Sequence, residues 1–158
     1  MSESLFDAIR NEDLNGVIQL LDAHPDWVHA KDQRGSTPLL LATYYGHVDM
    51  ASAILKFDQD IDTQDASGNT ALMGVCFKGY ADIATLLIDA GADVNATNSN
   101  GATALIFATS FGRDDLVALL LERGADVYIA DASGNSALSH AKMQGNQELI
   151  KLLEKYAC

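Results

Sequence analysis

Four histidines, two cysteines and a scatter of carboxylates are the side chains of this sequence that could do metal, acid–base or nucleophilic chemistry. A metal site needs His, Cys or carboxylate ligands at a spacing that brings them to one point. None of His24, His29, His47 and His140 pairs with Cys, Asp or Glu at ligand spacing within one helix. Cys76 and His140 fall in non-adjacent units of the chain, which argues against a Cys–His dyad. Ser110 stands in Thr-Ser-Phe-Gly and lacks the Gly-x-Ser-x-Gly frame of a nucleophile elbow. Gly101 and Gly134 have no lysine at the offset of a phosphate loop. No catalytic, cofactor-binding or metal-binding residue is expected, and the chain reads as a non-enzyme.

Recognition chemistry is better supported. Tyr44-Tyr45, Phe77-Lys78, Ser110-Phe111 and Met143-Gln144 each stand immediately before a glycine, in one recurring register. The chain has only 1 Trp, 5 Tyr and 5 Phe, yet Tyr44, Tyr45, Phe77 and Phe111 all fall here. Large aromatics on an accessible wall suit protein-interface anchors, with Lys78 as a charged contact. The competing reading is that they cover gaps between helices. A second set lies in turns: Gln33 and Arg34, then Ser67, Asn69, Ser99, Asn100, Ser133 and Asn135, which either bond a partner or are ordinary turn residues. The candidate protein-binding residues are Tyr44, Tyr45, Phe77, Lys78, Phe111, Arg34, Gln33 and Met143.

The elements that must position these residues are written in the glycines. Gly35, Gly68, Gly101 and Gly134 recur every 33 residues, and Gly46, Gly79, Gly112 and Gly145 keep the same step. Two registers with one period mean a copied unit, the signature of a stacked solenoid. Each unit opens on an Asp-x-x-Gly or Asn-x-x-Gly turn. Thr37, Thr70, Thr103 and Ser136 stand where a first helix begins and can cap it. Pro38 suits the first helical position. Leu39 and Ala42, Leu72 and Val75, Leu105 and Ala108, and Leu138 and Ala141 each share one face of that helix. A second helix carries a wide apolar stripe, such as Leu116, Val117, Leu119, Leu120 and Leu121. Asp49, Asp82, Asp114 and Asp115 fall in its first turn, where they complement the helix dipole. Gly91 and Gly124 end it.

These residues resemble the ankyrin repeat, whose signature is Thr-Pro-Leu-His-x-Ala. The matches are Thr37-Pro38-Leu39, Gly46-His47, Gly91-Ala92-Asp93-Val94-Asn95-Ala96 and Gly124-Ala125-Asp126-Val127. The resemblance spans the chain and implies an all-α solenoid of five helix-turn-helix repeats with projecting β-hairpin-like loops and a concave groove. The single domain 1–158 divides into an N-terminal cap repeat (4–31), full repeats 32–64, 65–97 and 98–130, and a C-terminal cap repeat (131–158). The polar ends fit caps: Glu12 replaces a glycine, and Glu154 stands where inner units have an apolar residue. The signature histidine is replaced by Leu40, Met73, Ile106 and Ser139, so apolar packing must take over its bonding. Asp58-Gln59-Asp60 replaces Gly-Ala-Asp, and Asp58 is expected to take the left-handed turn. Asn95 resembles the ankyrin asparagine hydroxylation site of animals, and a structural role in its loop is expected. The resemblance implies an adaptor, scaffold or inhibitor that binds a protein through the concave face and hairpin tips. Alternatives are a structural or immunity-type partner of a specific enzyme, or an enzyme with a site assembled across repeats.

Composition narrows the setting. The formal net charge is −12, and the ten basic residues form no stripe, which disfavours nucleic acid. Such acidity suits a basic or apolar partner patch. No apolar run approaches membrane-spanning length, and the first residues lack a secretory signal. Cys76 and Cys158 are far apart in a stack whose units touch only neighbours, so no bridge is expected. A reducing, cytoplasmic setting and a monomer follow as expectations.

Overall fold

A computed structural model describes residues 2–157. Cys158, and with it the question of a bridge to Cys76, lies outside the described residues. Ten α-helices form five consecutive pairs among them: α1 (Glu3–Arg10) with α2 (Leu14–Ala23), α3 (Pro38–Tyr44) with α4 (Val48–Ile54), α5 (Ala71–Lys78) with α6 (Ala81–Asp89), α7 (Ala104–Ser110) with α8 (Asp114–Glu122), and α9 (Ala137–Gln144) with α10 (Gln147–Tyr156). A short 3-10 helix, Pro25–His29, follows α2, and Trp27 in it stacks on His24 at 4.0 Å. The first helices pack side by side as one row, α1 to α9, and the second helices as another. This is an all-α repeat solenoid.

The turn and cap residues account for the rows. Asp32, Asp65, Asn98 and Asp131 each accept two backbone N–H groups, from two and four residues on, at 2.9–3.0 Å. The loop then closes on a backbone bond, as from Asp65 N–H to the Asn69 carbonyl at 3.0 Å. Regular β-structure among the described residues is limited to one isolated bridge, Ala130 with Ser136. Thr37, Thr70, Thr103 and Ser136 then accept the N–H three residues on and start α3, α5, α7 and α9. Each cap satisfies a donor that the first turn would otherwise leave open.

The core lies between the rows. Leu72, Val75, Leu105 and Ala108 of the first helices meet Ile83, Leu87, Leu116 and Leu120 of the second, all essentially inaccessible. Leu40, Met73 and Ile106, at the signature-histidine position, are buried as packing residues, and Ser139 is half-buried. Cys76 is buried too, and its thiol is pushed up to about 12 by burial, with the Asp115 charge adding to it. It is a core filler and not a nucleophile.

Loop bonds run between repeats. Asp93 N–H donates to Asp62 Oδ1 at 2.9 Å, and Asp126 N–H to Asn95 Oδ1 at 2.8 Å. The Asn95 amide also donates to the Gly124 carbonyl at 3.4 Å, so Asn95 does tie its loop to the next.

One local expectation changes. Asp58 does not take a left-handed turn: Glu12, at φ 57°, is the one non-glycine with positive φ among the described residues. The helix ends early instead. α4 stops at Ile54, and the Gln59 amide donates to the carbonyls of Ile54 (2.7 Å) and Phe57 (3.1 Å). A side chain thus takes the carbonyls that a glycine turn serves elsewhere. His47 occupies the cap position of α4, but its ring makes no cap bond and lies 3.4 Å from Glu12 of the preceding unit.

Candidate functional site

The row of first helices ends on the residues singled out by register. Tyr44, Phe77 and Met143 lie at or near the ends of α3, α5 and α9, and Tyr45 and Phe111 are the caps that follow α3 and α7. All five are exposed, against a core that is otherwise sealed. Neighbouring repeats fix this edge. The Arg113 guanidinium donates to the Phe77 carbonyl at 3.0 Å, and the Gln144 amide to the Ser110 carbonyl at 2.8 Å. Gly79 is favoured here by its φ of 85°, and a Cβ would press on the Arg113 guanidinium at 3.1 Å, which would have to shift.

The side chains fall into three groups. Lys78 Nζ sits 4.7 Å over the Tyr44 ring, a cation–π contact between adjacent repeats. Phe77 meets Phe111 edge-on at 4.7 Å, and Phe107 lies parallel to Phe111 at 6.5 Å. Tyr44 and Phe77 then border one groove of about 280 Å³ with Leu40, Met73, Gly74 and Phe107, rimmed by Ser36 and Asn69. Gln33, Arg34 and Tyr45 are brought together elsewhere, in an open cavity of about 640 Å³ between the first tip and α1, with Phe6, Arg10 and Lys31. Met143 lines neither cavity and is 64% exposed.

Phe107 and Gly74 lie outside the register that singles out the aromatics. They occupy one position of adjacent units, shared with Leu41 and His140. The signal for them is a glycine beside a phenylalanine on neighbouring first helices, which makes a dent with an aromatic wall. Gly74 is helical, and a Cβ there would meet only Tyr44 Cδ1, at an ordinary 3.8 Å. Glycine inside a helix costs about 1 kcal/mol relative to alanine, and no close contact demands it.

Charge is distributed unevenly. Segments 3–10, 32–45, 65–78, 98–111 and 131–144, the first helices and their tips, carry the acids Glu3, Asp7, Asp32, Asp65 and Asp131. They carry nearly as many bases: Arg10, Arg34, Lys78 and Lys142. All but one unit of the net charge of −12 therefore lies in the rest of the chain. The acids are also engaged within the fold. Asp32 holds its turn and Arg10 (3.4 Å), Asp7 lies 3.5 Å from Arg10, and Asp65 holds its turn. Asp131 pairs with His140 at 2.9 Å. The backbone N–H of Asn135 and then the His140 ring hold the Asp131 carboxyl below its ordinary value. Among the described residues, Lys31, Arg34, Lys78 and Lys142 form no ion pair.

His140 thus has an acidic partner that lies outside its own helix, in the preceding turn. The described residues hold no group of three or more His, Cys, Asp or Glu side chains placed to grip a metal ion, and no helix long and apolar enough to cross a membrane. A family model described as ankyrin repeats (3 copies) matches residues 5–98 and again 77–158. The comparison with curated proteins gives no match.

Proposed function

Because the chain belongs to the ankyrin repeat family, whose members generally serve as protein–protein interaction modules, we propose that it is a non-catalytic adaptor, scaffold or inhibitor that grips one protein partner on its concave first-helix face. The observation that carries this reading is the exposed set Tyr44, Tyr45, Phe77 and Phe111, aligned on adjacent helices while the core closes without them. Half-exposed aromatics are well suited to anchoring, because they bring large area and, with only two side-chain torsions, lose little freedom on binding. Lys78 and the tip residues Gln33 and Arg34 extend the same face, and Met143 lies at its far end. The proposal includes a cytoplasmic monomer, working as one domain over 1–158 with cap repeats at 4–31 and 131–158, and no nucleic acid or membrane partner.

The test is capture of partners from the source organism by wild type and by the Tyr44→Ala/Phe77→Ala/Phe111→Ala variant. Truncating such anchors costs about 2 kcal/mol or more each. A partner retained by wild type and lost by a variant of unchanged circular dichroism supports the reading. A folded variant that keeps the same partner at the same affinity overturns it.

A further inference from the structure

We propose that the groove over Gly74 receives one large apolar side chain of an acidic partner segment, whose carboxylate reaches Lys78. This rests on the first-helix face being the binding face and specifies the chemistry of what binds there. Four observations carry it. The floor is a helical glycine that the fold does not need, since its Cβ would make only an ordinary contact with Tyr44. The walls are apolar and come from three successive repeats: Tyr44 of α3, Met73 and Phe77 of α5, and Phe107 of α7. About 280 Å³ is enough room for a large apolar side chain such as leucine or phenylalanine. The side chain beside it that is still free to pair is cationic: Lys78 lies over the Tyr44 ring without a carboxylate, whereas Asp65 on the rim keeps its charge but has its Oδ1 taken by the N–H groups of Ser67 and Asn69.

The overall charge of −12 would suggest a basic partner, but all but one unit of that charge lies off this face. At physiological ionic strength exposed charges act over about 8 Å. Lys78, seated 4.7 Å over the Tyr44 ring that borders the groove, therefore decides the preference, and the preference is for acid.

Gly74→Leu is the discriminating variant, because filling the groove and improving the helix go together. Its melting temperature should equal or exceed that of wild type. Gly74→Ala, which adds one carbon, should melt about 2–4 °C higher. The probes are fluorescent dodecapeptides with a central Leu, Phe or Ala, flanked by Glu or by Lys, read by anisotropy on the full chain. Leu–Glu or Phe–Glu peptides should bind wild type at least about ten-fold tighter than Ala–Glu or Leu–Lys peptides, a difference of one decade in Kd. Gly74→Leu should erase the advantage of Leu over Ala, and Lys78→Glu should reverse the advantage of Glu over Lys. Equal binding to wild type and Gly74→Leu, a preference for Lys peptides, no binding to any peptide, or occupation of the groove by a second copy in sedimentation would each overturn the proposal. If Gly74→Leu still binds and the triple aromatic variant does not, the groove assignment fails and the face assignment stands. If neither variant matters, both fail.

Discussion

At the scale of single residues, the repeat offers its own controls, because each position has counterparts 33 residues away. Glu12, 34 residues before Gly46 because the first unit is one residue longer, occupies the site of Gly46, Gly79, Gly112 and Gly145 and takes φ 57° with a side chain attached. A left-handed non-glycine costs about 1–2 kcal/mol, and glycine recovers part of that after its larger loss of chain entropy. The exposed contact to His47 at 3.4 Å offsets little. Glu12→Gly should therefore raise stability by about 0.5–1 kcal/mol in urea unfolding; a lower midpoint would mean the His47 contact outweighs the strain. Asp62 gives the complementary case. Its carboxyl is raised above the ordinary aspartate value, first by desolvation and then by the charges of Asp93 and Asp60, against the Asp93 N–H that lowers it. A carboxyl raised in the folded state binds its proton more tightly folded than unfolded. Its contribution to stability is thus greatest in acid and is lost as pH rises through the folded pKa. Asn95, the counterpart of Asp62, accepts the same N–H and also donates to Gly124. Asp62→Asn should remove that part of the pH dependence and add a bond to the Gly91 carbonyl, a gain of about 1 kcal/mol at neutral pH. Thermal melts from pH 4 to 8, at about unit intervals across the carboxylate range, would show a variant that gains most at the neutral end. A variant that tracks wild type at every pH would refute this account. Asp131 has the opposite sign: its carboxyl is held low, so its contribution is present above the ordinary aspartate value and is lost as pH falls through the folded pKa.

At the scale of elements, the second helix of the second pair is the departure from the pattern. α4 ends at Ile54 after seven residues, where α6 and α8 run to nine. No glycine is available to turn the chain, and the Gln59 amide bonds the exposed carbonyls in its place. Gln59→Ala should cost about 1 kcal/mol, with faster amide exchange confined to the end of α4 and the loop after it; unchanged exchange there would show that water serves those carbonyls equally well. The first helices are capped more regularly, by Thr37, Thr70, Thr103 and Ser136. Their starts are legible in the sequence, because a capping hydroxyl followed by an apolar face is a local signal. The end of α4 is not. Which amide reaches which carbonyl depends on the loop path, and Asp58-Gln59-Asp60 suggests a left-handed turn that the chain does not make.

At the scale of the molecule, each pair leans on its neighbours, so stability is not shared evenly. Leu87 of α6 is fully buried with a pair on each side, and Leu153 of α10 is equally buried at the end of the stack. Leu87→Ala should cost about 2–5 kcal/mol and weaken the whole array. Leu153→Ala should release α9 and α10 first, seen by hydrogen exchange as loss of protection in that pair while α5 to α8 stay protected; uniform loss along the chain would contradict this. The same division separates what the sequence determined from what it did not. The period, the caps, the apolar stripes and the exposed aromatic register are local or periodic properties, and a linear reading is enough for them. The dent between Tyr44, Gly74 and Phe107, the seat of Lys78 on a ring of the preceding repeat, and the pairing of acids that leaves the first-helix face with free cations all depend on residues far apart in the chain. Only the stacking of one repeat on the next brings such residues within contact range, so the shape and local charge of the candidate site were decided there.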